Sequence, residues 1–225
     1  MMKRTGDVTL DDIKGDTEVT AYMTQADKFM EAIGYTEHGE RHASLVANIA
    51  RNILTRLSYP EREAELASIA GYLHDIGNVI GRDLHGTASA LIAKSVLERQ
   101  GMKPQEIATV MNAIGNHEEE NGLVTSEVCA ALILADKSDV HKTRVRNPDM
   151  VTFDIHDRVN YAAQRSFLRV NEAKKQICLE IEIDTNISQV MEYFEIFLSR
   201  MVMCRRAAEF LNCTFSLVIN DVKLL

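Results

Sequence analysis

The chain is expected to be mainly α, with a small C-terminal α+β unit. Three observations lead there. From Thr20 to about His141 apolar residues recur at the 3.6-residue helical period. Only 3 prolines and 11 glycines punctuate 225 residues, which favours long helices. Beyond Asn147-Pro148 the period drops to two in places, the mark of half-buried strands. A chain this long accommodates one large domain, or one domain with an appendage. The boundaries are drawn at 17–146 for the helical part and 150–225 for the appendage.

The elements follow in order. Met23, Ala26, Phe29, Met30 and Ile33 form one stripe, and Gly34 ends that helix. Leu45, Val46, Ile49, Ile53 and Leu57 form the next, stopped by Ser58-Tyr59-Pro60. Pro60 suits a first helical position, with Glu61, Glu63 and Glu65 near the positive helix end. That helix runs through Leu66, Ile69, Ala70 and Leu73 into His74-Asp75, and Gly77 breaks it. Another helix spans about His85 to Arg99 and stops at Gly101. Pro104 opens the next, through Ile107, Val110, Met111 and Ile114. Glu127 to about Val140 is apolar all round, as a central helix must be. In the appendage, Ile177, Leu179, Ile181 and Ile183 alternate with polar residues, and Phe215, Leu217 and Ile219 alternate again. A strand is expected within Val159–Val170. A helix stripe runs from Ile187 through Val190, Phe194, Phe197 and Met201 to Ala208. The order is β-β-α-β.

Composition excludes several classes. Hydrophobic residues are 46% and charged residues 26%, as in a folded globular protein rather than a disordered or membrane-spanning one. The longest apolar run, Val128 to Ala135, is too short to cross a bilayer. Met1–Asp12 has no apolar core and does not read as a signal peptide. The four cysteines (Cys129, Cys178, Cys204, Cys213) form no CxxC pair, so reduced thiols and a cytoplasmic location are expected. The formal net charge of −8 disfavours binding a nucleic-acid polymer. There is no GxSxG, P-loop or GxGxxG motif.

Chemistry concentrates in the helical part. His42, the adjacent pair His74-Asp75, His85, His117 and Asp136 sit at helix ends or on polar faces. Imidazole and carboxylate donors together suit Fe, Mn, Co, Ni or Zn, with Mg possible, better than Ca, which wants oxygen alone.

The order H…HD…H…H…D resembles the HD-domain superfamily of metal-dependent phosphohydrolases. Local strings agree: Glu40-Arg41-His42-Ala43-Ser44 with the first-histidine helix, and Gly71-Tyr72-Leu73-His74-Asp75-Ile76-Gly77-Asn78 with the HD box. Leu84-His85-Gly86-Thr87 resembles the histidine that opens a helix, and Leu134-Ala135-Asp136-Lys137-Ser138-Asp139 the closing-aspartate helix. The resemblance spans about residues 36 to 146. It implies an HD-type helical bundle carrying the β-β-α-β appendage. It also implies that His42, His74, Asp75 and Asp136 hold one metal, with Asp75 bridging to a second bound by His85 and His117. Such a pair polarises and clamps a phosphate for in-line displacement. Asp75 and Glu118 are then the candidate catalytic carboxylates, Glu118 by orienting a water or a ligand.

The sequence departs from the family at several points. The lysine frequent after the HD box is Asn78 here. Positive charge for the phosphate must come from elsewhere, and Lys137, Arg144 and Arg82 are the candidates. Asn116-His117-Glu118-Glu119-Glu120-Asn121-Gly122 partly resembles the HD-GYP segment, but the Gly-Tyr-Pro end is replaced by Val124-Thr125-Ser126. The short spacing from the HD box to His85 is more like small bacterial hydrolases of dinucleoside polyphosphates, whose pattern the chain leaves after Asp139. His38 is read as a loop histidine or a further ligand. His141 and His156-Asp157 are read as bystanders.

The expected function is hydrolysis of a phosphate ester or nucleotide. A mixed-valence di-iron oxygenase, which uses a similar six-ligand set, and a non-catalytic metal-binding sensor or dimerisation protein are the alternatives. Strand edges in the appendage suggest a homodimer.

Overall fold

In a computed structural model of the protein, residues 7–119, 122–147, 149 and 152–224 are described. Glu120, Asn121 and Pro148, and the appendage limits at 150 and 225, lie outside the described residues.

A capping box at Thr9 and Asp12 starts α1 (Leu10–Lys14), and the Asp16 side chain caps α2 (Thr17–Ala32). Next come α3 (Glu40–Arg56) and α4 (Glu61–Leu73). Pro60 stands one position earlier than expected, as the extended residue before α4, because its φ of −53° and ψ of 139° turn the chain into the helix. α3 and α4 cross very closely. A Cβ on Gly71 would sit 2.9 Å from the Ala47 backbone, so only glycine permits this approach. That crossing brings the start of α3 beside the end of α4.

A 3-10 turn (Ile76–Val79) leads to α5 (His85–Gln100), then α6 (Pro104–Gly115) and α7 (Glu127–Lys137). Every side chain from Val128 to Ala135 on α7 is buried, as its apolar composition requires. Gly77 ends no helix; α4 already stops at Leu73. A Cβ there would lie 2.4 Å from the His85 carbonyl and the Ser89 nitrogen, so Gly77 lets the HD turn seat against α5.

The C-terminal part holds α8 (Ile155–Ala162), β1 (Ala163–Asn171), β2 (Gln176–Ile183), α9 (Val190–Phe210), β3 (Thr214–Ile219) and β4 (Val222–Lys223). The sheet order is β1-β2-β3-β4. β1 and β2 pair antiparallel, β2 and β3 pair parallel through the α9 crossover, and β4 folds back on β3. The β-β-α-β order is present, with α8 and the short β4 added. The strand expected within Val159–Val170 begins only at Ala163. Asp154 caps a helix by accepting from the Asp157 N–H at 2.8 Å, which commits Ile155–Ala162 to α8. Ile187 precedes α9, which starts after a capping box at Gln189 and Glu192. One cluster of buried apolar side chains runs through both parts of the chain, and α9 packs on α7. No helix among the described residues is long and apolar enough to cross a membrane.

Candidate functional site

Four helix ends converge on one buried point. His42 lies in the first turn of α3, His74 caps the end of α4, His85 opens α5, and Asp136 closes α7. His117 follows α6, just past its cap Asn116. Asp75 has φ −104° and ψ 1°, the bridge region where many active-site residues sit. That backbone turns both side chains of the His74-Asp75 pair inward.

The four histidines share one orientation. Nδ1 of His74 lies 2.7 Å from the Gly71 carbonyl, and Nδ1 of His117 lies 2.6 Å from the Ile114 carbonyl. Nδ1 of His42 lies 2.7 Å from Asp139 Oδ2, and Nδ1 of His85 lies 2.5 Å from Glu118 Oε1 and 3.0 Å from the Arg82 carbonyl. Every partner is an acceptor, so each Nδ1 carries a proton and each ring turns its Nε2 inward. The Nε2 atoms of His42 and His74 are 3.2 Å apart, and so are those of His85 and His117. Lone pairs at that distance repel unless a proton or a cation lies between them.

The carboxylates complete the arrangement. Asp75 Oδ2 lies 3.3 Å from His74 Nε2 and 3.7 Å from His42 Nε2, while its Oδ1 lies 3.2 Å from His85 Nε2. The two oxygens thus face different histidine pairs. Asp136 Oδ1 lies 3.3 Å from His42 and 3.6 Å from His74. Burial alone would push His74 down, but Asp75 and Asp136 reverse this and raise its pKa to about 10. Burial holds His117 well below the ordinary histidine value, as a neutral donor. The site therefore demands positive charge and offers neutral nitrogen and anionic oxygen to meet it. Two triads, His42–His74–Asp136 and His74–Asp75–His117, each bring one donor atom per residue within 4.8 Å of one another. This donor set fits a transition-metal ion.

Residues 39–142 match the HD domain family. That segment is an HD domain. An uncharacterised protein of Methanocaldococcus jannaschii is 29% identical over 184 residues, which cover 71% of this chain and 70% of that protein. The crystal structure of a predicted HD superfamily hydrolase from an uncultured Thermotogales bacterium aligns at 26% identity with a TM-score of 0.44. It covers 55% of this chain and 67% of that one.

Around the HD-domain centre the other expected residues are placed unequally. Arg82 is close, with a terminal nitrogen 3.7 Å from Asp75 Oδ1 and its guanidinium 5.5 Å from the Tyr35 ring centroid. Lys137 is buried and already holds two carboxylates, Asp136 at 2.7 Å and Glu119 at 3.0 Å. Arg144 is buried and donates to the carbonyls of Glu37 and Asp139. Glu118 faces Nδ1 of His85, the side turned away from the centre, and accepts the Gly86 N–H at 2.8 Å. It holds His85 in place instead of reaching the reacting side. His38 is not helical; its ring stands 5.7 Å from that of His42, with Nδ1 donating to the Thr36 carbonyl at 2.6 Å. His141 ties the helical part to β1 through the Gln164 carbonyl at 3.1 Å, and His156 is exposed.

Two residues escaped the sequence reading. Asp139 orients His42 and also pairs with Arg41 at 2.9 Å. Its spacing three residues after Asp136, at a helix end, was an available signal. Arg200 on α9 reaches Glu119 at 3.0 Å beside the centre. Nothing local in the sequence marks it.

Proposed function

We propose that the protein is a metal-dependent phosphohydrolase acting on a phosphate ester or nucleotide, with a dinuclear centre in its HD domain. The observation that carries this reading is the split of Asp75, one oxygen toward His42 and His74 and the other toward His85. His42, His74 and Asp136 would hold one ion, His85 and His117 a second, and Asp75 both. Bound there, divalent ions would polarise a phosphoryl oxygen and make a nucleophile available at neutral pH. Fe, Mn, Co, Ni and Zn suit the mixed donors, and Mg is the hard-ion alternative.

The chain's own residues do the rest. Asp139 and Glu118 fix the tautomer and tilt of His42 and His85, so that Nε2 stays the donor. Arg82 and Arg144 line the approach and present guanidinium groups to an anionic phosphate. Lys137 neutralises Asp136 and Glu119 from behind, which makes it a structural counter-charge. Residues 17–146 then form the catalytic unit, and 150–225 an appendage that walls its entrance.

Elemental analysis of freshly purified protein, with phosphate release from a panel of phosphate esters and nucleotides, tests this. Bound transition metal and phosphate release are expected, both lost in Asp75→Ala. Turnover unchanged in that variant refutes the reading. Oxygen uptake by an anaerobically reduced, iron-loaded sample, without phosphate release, replaces it with a di-iron oxygenase.

A further inference from the structure

A cavity of about 370 Å³ lies beside the centre, between the Tyr35–His38 segment and the C-terminal helices α8 and α9. That size falls within the range of small-molecule sites, about 300–1,000 Å³. Its wall is contributed by both parts of the chain, and its charge is unevenly distributed. Arg82, Arg144 and Arg200 line it on the side of the metal centre; Asp154, Asp157 and Asn160 line it from α8. Arg82 lies 3.7 Å from Asp75, Arg144 3.7 Å from Asp139 and Arg200 3.0 Å from Glu119, so the three cations stand at the end of the cavity nearest the centre. At the other end Asp157 stands beside Asp154, which lies 3.8 Å from His156. The cavity is thus cationic at its inner end and acidic at its outer end.

The three guanidinium groups are held in place. Arg82 stacks near Tyr35. Arg200 stacks on Phe197 at 4.5 Å and ties its Nε to Glu119 at 3.0 Å. Arg144 spends its hydrogen bonds on neutral carbonyls, and its nearest carboxylate, Asp139, is 3.7 Å away. Each has one carboxylate neighbour, and for Arg82 and Arg144 it stands 3.7 Å away, outside hydrogen-bond distance, which leaves their charge available to an anion in the cavity. Planar, pre-positioned guanidinium groups match the oxygens of a phosphate. A second phosphate further out would instead meet Asp154 and Asp157, where like charges repel. Hydroxyl groups there would find carboxylate acceptors.

Resting on the phosphohydrolase reading, we infer that this cavity seats the substrate and that Arg200 of α9 is a phosphate-binding residue of the site. The substrate class is a phosphomonoester of a hydroxylated carrier, a sugar phosphate or a nucleoside monophosphate, and polyphosphates are disfavoured. The appendage then contributes directly to specificity.

Calorimetric titration of the full chain as purified, with ribose 5-phosphate, AMP, ADP and ribose, tests this. Affinity is read as Kd, or as KM where the ligand is turned over. At least one monoester should bind, and AMP at least tenfold more tightly than ADP; the ribose 5-phosphate and AMP arms tell the two carriers apart. Ribose should not bind measurably. Arg200→Ala should weaken the monoester tenfold or more while retaining its metal, Arg200→Lys should recover part of the loss, and Asp157→Asn should narrow the gap between AMP and ADP. ADP binding as tightly as AMP, neither monoester binding, or a folded Arg200→Ala protein with wild-type affinity each overturns the inference. Selective monoester binding without turnover would leave it standing while the phosphohydrolase reading fell.

Discussion

Replacing Asp139 separates positioning of the proposed metal centre from ligation of the metal. Its Oδ2 takes the Nδ1–H of the wholly buried His42 at 2.7 Å. Asp139→Ala leaves that donor without a partner, which costs about 1–3 kcal/mol. The Arg41 pair adds little, because Arg41 is 39% exposed and such pairs contribute about 0–1 kcal/mol. The larger consequence concerns metal. Without the carboxylate, the His42 proton redistributes between its two nitrogens, and Nε2 is less often the lone-pair donor. Loss of such a partner costs about 10–100-fold in metal affinity, or about 1.4–2.7 kcal/mol. Asp139→Asn keeps an acceptor oxygen and should lose less than Asp139→Ala. Chelator competition measures the affinity, and thermal melting with excess chelator isolates the folding cost. A folded Asp139→Ala protein with wild-type metal affinity would refute the positioning role.

Two further predictions concern the frame. Gly77→Ala should destabilise the protein by about 1–3 kcal/mol or more, because the new Cβ meets backbone atoms of α5 that cannot yield; Tm should fall about 2–4 °C for each kcal/mol. A wild-type melting curve would show that α5 shifts freely. Glu106 is held below its ordinary value of 4.5 by the two-pronged hydrogen bond from Arg62, at 2.7 and 2.8 Å. A depressed carboxylate stabilises the fold above its unfolded pKa and loses that contribution as pH falls below 4.5 through its folded value. Denaturant titrations should therefore show Glu106→Gln weaker than wild type by about 1 kcal/mol at pH 7, with the gap closing toward pH 3; a gap independent of pH would contradict this.

The helical part was legible because its evidence is local. Each stripe, cap and breaker lies within one or two turns, so the helices from Thr17 to Lys137 follow the apolar period closely. The alternation at Ile177–Ile183 marked β2 for the same reason. Residues 155–170 misled because a short helix runs directly into a strand, and neither is long enough for its period to dominate. In the candidate site, the six residues singled out do converge, since their order and residue types already carried the pattern. The partners on the other side of each ring were not legible. Glu118 adjoins His117 in the chain, yet the fold sets it against His85.

The sequence by itself determined which residues have ligand chemistry and that they lie near helix ends, because residue type and helical period are properties of short stretches. Only the tertiary structure decided that Glu118 sits against His85, that Lys137 is already paired, and that Arg200 reaches the cavity beside the centre. The reason is physical. A side chain's charge partner is set by which helix ends meet in space, and that depends on close crossings such as Gly71 on Ala47 and Gly77 on α5, whose partners lie far away in the chain.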